Sequence, residues 1–288
     1  MLYYGLLILA TVILALELTM SKLYERSEGT SLCAGLTYNV ILGLACAVFA
    51  FALGGFQIHI SWFSMLMAFG VSVLSMTCSM ISFQVLKSGG MGVYSMFLVS
   101  GGMLMPYLFA VLFLDETLNV FRVIGMIVIL AAVILNNRSA GKLNRSLILL
   151  CVMVFILNGC VSIISKCHQI DTTHDPIGSS EFVMWVGLFK AAMSGCILLT
   201  VHRKQPQSMP RLKKALPIVL VASLFSCLTY LLQLISASHL PATVQYPIVT
   251  GGCIIFSTLS GKIIFKDKVS TAQWISVALC FAGTCLFL

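Results

Sequence analysis

Continuous apolar runs, each about twenty residues long, decide what this chain can fold into. Runs of that length let an α-helix cross a bilayer, whereas transmembrane barrel strands are alternating segments of about ten residues. Because lipid offers the backbone no hydrogen-bonding partner, each run must satisfy its amides internally as a helix. The composition agrees, since 59% of the residues are hydrophobic and 9% are charged, against about a quarter charged in soluble domains. The sequence therefore predicts an all-α polytopic membrane protein.

Charges and turn residues divide the apolar runs into ten spans. Five spans precede the polar linker at 138–145 and five follow it, which predicts two five-helix repeats at 1–137 and 146–288. Because five is an odd number, the second repeat enters the membrane inverted relative to the first. The predicted spans are 3–21, 32–54, 61–84, 91–114, 118–136, 147–167, 180–201, 215–237, 241–262 and 270–288.

The two halves also share an order of local features, which indicates internal duplication. Ser21-Lys22 closes the first span and overlays Ser165-Lys166, which closes the sixth. Glu116 precedes the fifth span and overlays Asp267, which precedes the tenth. We expect these acidic residues to stabilise the N-termini of the helices that follow them. Internal duplication in a membrane chain is typical of transporters.

Basic residues collect on one face of the predicted bundle. The loops after odd-numbered spans carry most of the lysines and arginines, whereas the even loops are acidic, with only Arg122 and Lys166 nearby. By the positive-inside rule the odd loops are cytoplasmic and both termini lie outside. The net charge of +8 therefore reflects orientation and lipid headgroup contacts, and we expect no nucleic-acid partner.

Three stretches carry local patterns: Asn158-Gly159 through Lys166, Leu114-Asp115-Glu116-Thr117-Leu118, and Ile124-Gly125-Met126 leading into Ala131-Ala132-Val133. With the order of the spans, they resemble the drug/metabolite transporter superfamily, specifically its ten-span EamA-like branch. The resemblance covers the whole chain, although Ala15 stands where the family usually has glycine, and Asp267-Lys268 stands in place of Glu-Thr. It implies a multi-pass transporter of the plasma (inner) membrane, with spans one, three, four, six, eight and nine as cavity walls. It also implies cytoplasmic termini, opposite to the loop charges.

Ionisable groups within the spans are candidates for function, because each costs at least ~2.5 kcal/mol at mid-helix in a bilayer. Glu17, predicted one turn inside the end of span one, is a proton-coupling carboxylate, a carboxylate hydrated near the interface, or one paired with Lys22. Lys190, at the middle of span seven, either neutralises an anionic substrate, pairs with Glu17 or binds backbone carbonyls. We expect Lys166 to reach the headgroups.

Polar residues of the predicted cavity walls complete the candidate site. Ser95 overlays Gln245 and Ser100 overlays Thr250, so each pair faces its counterpart across the pseudo-two-fold axis, where transporters bind substrate. The alternative is that these side chains hydrogen-bond between helices. The candidates for substrate binding or coupling are Glu17, Gln84, Tyr94, Ser95, Ser100, Asn158, Lys190, Tyr230, Gln233, Gln245, Tyr246 and Thr250.

The sequence carries no motif for catalysis, for a phosphate loop or for metal ligation, so we expect no enzyme activity, no cofactor and no metal. The predicted function is secondary active transport of a small organic metabolite, amino-acid-like or similar, by alternating access with proton coupling or exchange. The alternatives are a flippase of a lipid-linked or lipid-like substrate, and a non-transporting scaffold with a dry, packed interior. The expected partners are a small-molecule substrate and the lipid bilayer. The sequence is also compatible with a homodimer.

Overall fold

A computed structural model of the chain describes residues 2–29, 31–87, 91–117, 119–136, 145–204, 212–264, 266 and 269–287. Within those residues it contains ten α-helices and no strand. The helices are α1 (Leu2–Glu28), α2 (Leu32–Leu53), α3 (Trp62–Lys87), α4 (Met91–Phe113), α5 (Val120–Asn136), α6 (Arg145–Ile170), α7 (Ser179–Lys204), α8 (Leu212–Ala237), α9 (Ala242–Ile264) and α10 (Thr271–Cys285).

The all-α prediction is confirmed, and the helices differ in length. Seven of those described are long and apolar enough to cross a membrane. Shorter apolar stretches occur at Phe97–Phe113 in α4, in α5 and in α10. The 15 residues of α10 extend about 22 Å, less than the ~30 Å hydrocarbon core.

The first helix is longer than the sequence predicted. The predicted end at residue 21 is wrong, because α1 continues to Glu28 through residues such as Lys and Arg that form helices well. Tyr24 anchors this extension, since its hydroxyl donates a 2.8 Å hydrogen bond to the carbonyl of Ala34. Gly29, at φ +80°, then ends the helix as glycine commonly does. Consequently Glu17 lies near the middle of α1, rather than one turn from its end.

The most extensive helix contacts join the two halves of the chain rather than neighbours in sequence. Helix α1 packs against α8 and α9, and α6 packs against α3 and α4. Helices α2 and α7 contact each other, as do α5 and α10, and α4 and α9. When each helix is replaced by the one at the same position in the other half, every one of these contacts becomes another contact in this set or the same contact. The interior of the bundle is therefore built jointly by residues of both halves.

A glycine pair sets the close approach of α2 and α7. A Cβ atom on Gly43 would lie 2.6 Å from the carbonyl oxygen of Gly187, and one on Gly187 would lie 2.7 Å from that of Gly43. Both glycines are buried. Small residues at helix interfaces allow the backbones to pack closely in membranes, where dispersion contacts replace the hydrophobic effect.

Candidate substrate cavity

A cavity of about 330 Å³ lies inside the bundle, between α1 and α4 of the first half and α6, α8 and α9 of the second. This volume falls within the range of small-molecule sites, about 300–1,000 Å³. Its wall is mostly apolar, and none of the described lining residues is charged. Six of the predicted site residues line it: Asn158, Tyr230, Gln233, Gln245, Tyr246 and Thr250.

Several polar side chains of the wall also bond between helices. The Tyr246 hydroxyl donates to the Ser162 carbonyl at 2.7 Å, and the Tyr230 hydroxyl lies 2.8 Å from that of Ser165. Ser162 and Ser165 line the cavity as well and were not predicted. Ser165 is adjacent to Lys166 in the repeated Ser-Lys pair, which was the one sequence signal that could have indicated it.

The amides of the wall make the same kind of contact. Asn158 donates from its side-chain nitrogen to the Leu98 carbonyl at 2.8 Å, and Gln245 donates to the Gln233 carbonyl at 2.9 Å. The side-chain oxygen of Gln245 is buried and has no hydrogen-bond partner among the described residues. One side chain can therefore serve both predicted roles: the Gln245 nitrogen bonds to a neighbouring helix, while its oxygen is left to accept a hydrogen bond from a substrate.

Glu17 and Lys190 lie together beside this cavity. The Ser226 hydroxyl of α8 donates a hydrogen bond to the carboxyl group of Glu17, which also interacts electrostatically with Lys190 of α7. Both charged side chains are half-buried. Glu17 is flanked on α1 by Leu14 and Leu18, which line the cavity. The pair therefore lies one layer behind the neutral wall, with a partner from each half of the chain.

One of the four remaining candidates, Ser100, lies outside this group, and the side chains of the other three are not described. The side chains of Gln84, Tyr94 and Ser95 lie outside the described residues. Ser100 is described and half-buried, but it does not line the cavity. Its neighbours Leu98, Val99 and Gly102 on α4 do line it, so the helix presents a different side there.

Lys166 does not reach the lipid headgroups, and that expectation is wrong. Its side chain is buried, with 4% of the residue exposed. The ammonium group donates to the carbonyls of Ala237 and Leu240, at 2.5 and 2.7 Å. The Ala237 carbonyl ends α8 and lacks a helical donor, and the Leu240 carbonyl lies in the turn that follows, so both are free to accept from a buried lysine.

Glu116 stabilises a helix N-terminus, but a different one from the helix that we expected. Its carboxyl group accepts hydrogen bonds from the backbone N–H groups of Ala242 and Thr243, at 2.7 and 2.9 Å. It also accepts one from the Thr243 hydroxyl at 2.7 Å. These donors belong to the first turn of α9 rather than of α5, because α4 and α9 pack against each other.

Comparison with known proteins assigns the chain to a family. Residues 145–288 match the model of the EamA-like transporter family. The chain belongs to the EamA-like transporter family. The family places it in the drug/metabolite transporter superfamily, as a multi-pass membrane protein that functions as a membrane transporter.

The fold has relatives among solved structures. One, described only as "Crystal structure of protein", shares 14% sequence identity with this EamA-like chain. The similarity covers 99% of this chain and 94% of the other, with a TM-score of 0.76. At that identity the likeness concerns the fold alone. No curated protein matches the chain.

Proposed function

We propose that this EamA-like protein is a secondary active transporter that moves a small organic metabolite across the plasma membrane by alternating access. The observation that carries the proposal is the internal cavity whose wall comes from both halves of the chain. A site shared by two halves changes shape when one half moves against the other. That property allows one site to open to each face of the membrane in turn.

The chemistry of the wall supports a small, partly apolar organic substrate without a large net charge. Tyrosine rings supply apolar faces, while amide and hydroxyl groups supply directional hydrogen bonds. A wall without charged residues suits an uncharged molecule or a compact zwitterion, such as an amino-acid-like molecule, better than a substrate with a net charge. The substrate drives the conformational change only if it binds the two states with different affinity.

Glu17 is the residue that we propose for coupling. The Glu17 carboxyl group lies near the middle of α1, where burial disfavours its charge, and two partners from other helices, Ser226 and Lys190, offset part of that cost. Movement of α1 relative to α7 and α8 would weaken both interactions and favour uptake of a proton. Proton binding would then be linked to the conformational state. If transport instead proceeds by exchange, the transporter returns with a counter-substrate bound in the cavity, and no proton on Glu17 is needed.

The cavity bears on the scaffold alternative. A non-transporting scaffold predicts a dry, packed interior, and a cavity of about 330 Å³ is not what that predicts. No feature of the described residues specifically favours a lipid-like substrate.

An untargeted comparison of metabolites inside and outside cells tests the proposal. Cells that overexpress the chain are compared with cells carrying an empty vector and with cells carrying Lys190→Ala at equal membrane abundance. We expect one class of small organic compound to be accumulated or depleted by the wild type and not by the variant. Identical metabolite profiles in all three cultures would contradict transport of a cellular metabolite.

A further inference from the structure

The turn between α8 and α9, residues 238–241, is held at both of its ends by charged side chains from elsewhere in the bundle. At the end of α8, the Lys166 ammonium group donates to the Ala237 and Leu240 carbonyls. At the start of α9, the Glu116 carboxylate accepts from the amides of Ala242 and Thr243. Each charge meets the helix end of opposite partial charge.

These contacts hold elements that are far apart in sequence. Lys166 comes from α6, and Glu116 comes from the segment between α4 and α5. The two side chains also attract each other electrostatically. We call Lys166, Glu116 and the turn that they hold the clasp.

The clasp borders one end of the cavity. Ala237, whose carbonyl accepts from Lys166, itself lines the cavity, and so does Ser165, which precedes Lys166. On α9, the lining begins at Gln245, two residues after Thr243. The cavity therefore lies within the half of the bundle that is nearer this turn, directly beneath the clasp.

A proline lets the tip of α9 move independently of the rest of the helix. Pro247 lies inside α9 and has no N–H group, so it cannot donate to the carbonyl of Thr243, four residues earlier. The first turn of α9 is therefore less firmly joined to the remainder, which packs against α1 and α4. Prolines inside helices are common sites of kinks.

We infer that Lys166 and Glu116 form a gate, which holds the α8–α9 turn over one end of the cavity and opens that end when its contacts break. This inference rests on the proposed function. The turn follows an even-numbered helix, so the loop charges put it on the external face. In the closed gate four backbone groups at two helix ends find charged partners. Opening exposes those groups to water on that face, where they can be hydrated without loss of the core.

Labelling of the native Cys253 tests the gate without any substrate. Cys253 lines the cavity and is half-buried. A membrane-impermeant thiol reagent is applied to intact cells and, separately, to everted membrane vesicles. Peptide mass spectrometry gives the initial labelling rate at this residue from each face, so the face on which the turn lies is measured in the same experiment. Lys166→Met and Glu116→Gln should each raise that rate about tenfold, the change produced by a shift of about 1.4 kcal/mol in the closed-to-open equilibrium.

Two further variants keep the test decisive. Thr243→Val removes only the hydroxyl bond to Glu116 and preserves side-chain shape, so it should fold and raise the rate about twofold. Asp115→Asn changes the neighbouring carboxylate, which is exposed and at φ +52°, where asparagine is tolerated; its rate should equal that of the wild type.

Two outcomes would overturn the gate. One is a wild-type labelling rate in Glu116→Gln and Thr243→Val proteins that run as the wild type does on gel filtration. The other is an equal increase in Asp115→Asn. Because labelling needs no substrate, a faster rate in a chain that transports nothing would reject the proposed function and leave the gate standing. Active transport by a chain whose labelling rate is unchanged in the variants would reject the gate and leave the proposed function standing.

Discussion

The carboxyl group of Glu17 on α1 and the ammonium group of Lys190 on α7 attract each other across the interior of the bundle. One belongs to each half of the chain, and both side chains are half-buried. The pair therefore links the two halves at a place where water is scarce. Removing either member leaves the other charge without its counterpart.

The stability of the purified protein should reveal this pairing. Lys190→Met should lower the free energy of unfolding by about 0.5–3 kcal/mol, the usual range for two interacting groups, because the Glu17 carboxyl group loses the attraction of Lys190. Glu17→Gln combined with Lys190→Met should restore much of that loss, since no charge then remains. Thermal unfolding in detergent of the two single variants and the double variant measures the coupling. Additive effects of the two substitutions would rule out a direct interaction.

Coupling to protons should depend on Glu17. In everted membrane vesicles with an imposed pH gradient, Glu17→Gln should abolish gradient-driven accumulation of substrate and leave substrate binding intact. A glutamine keeps the shape of the side chain but exchanges no proton at any pH used. Accumulation at the wild-type level in this variant would remove Glu17 from the mechanism.

Asp171, in the loop between α6 and α7, supplies the matched control for that experiment. A hydrogen bond from the His174 side chain, with backbone bonds from residues 173 and 174, lowers the pKa of Asp171 to about 2. A carboxylate with a lowered pKa contributes its stability above the unfolded pKa and loses it as the pH falls towards 2. Between pH 5 and pH 8 the pH is about three units or more above this pKa, so Asp171 stays ionised throughout. The pH profile of transport should be the same in Asp171→Asn and in the wild type.

The hydroxyl of Tyr246 should contribute to substrate binding. Tyr246→Phe removes a hydroxyl that lines the cavity and donates its hydrogen to Ser162, so that its oxygen is left to accept a hydrogen bond from the substrate, which would contribute about 0.5–1.5 kcal/mol. We expect the KM for transport to rise between about twofold and tenfold. Tyr24→Phe removes a similar hydroxyl, bonded to Ala34 and distant from the cavity wall, and should leave KM unchanged. Equal KM values in all three proteins would exclude Tyr246 from the site.

The contact between α2 and α7 should not tolerate a methyl group. Gly43→Ala should lower the free energy of unfolding by about 1–3 kcal/mol, because the new Cβ would lie 2.6 Å from the Gly187 carbonyl and force the helices apart. Gly70→Ala is the control, since its Cβ would meet only Ile164, at 3.9 Å. Thermal unfolding in detergent compares them, and a loss of stability in Gly70→Ala as large as that in Gly43→Ala would contradict the explanation.

The fold was largely predictable because a bilayer imposes one rule on every apolar run. The run that ends at residue 201 and the helix that ends at Lys204 differ by less than a turn. The prediction failed at α1, because the charged residues after residue 21 were interpreted as a loop although they continue the helix to Glu28. Charge marks the end of the apolar core, and a helix can extend beyond it.

The candidate site was less predictable, because helix rotation and long-range contacts are not visible in an apolar run. Ser100 was expected beside Thr250, yet α4 turns Leu98 and Val99 towards the cavity instead. Lys166 was assigned to the headgroups by its position at the end of a span. Only the packing of α6 near the α8–α9 turn supplies the carbonyls that bury it.

Uptake by liposomes that contain only the purified chain and lipid tests the central claim most directly. The probe is the radiolabelled compound that the metabolite comparison selects, with protein-free liposomes and Tyr246→Phe measured in parallel. Alternating access through the cavity predicts saturable uptake above the protein-free level, with a raised KM in the variant. Uptake equal to that of protein-free liposomes, from protein that is folded and inserted, would contradict the account.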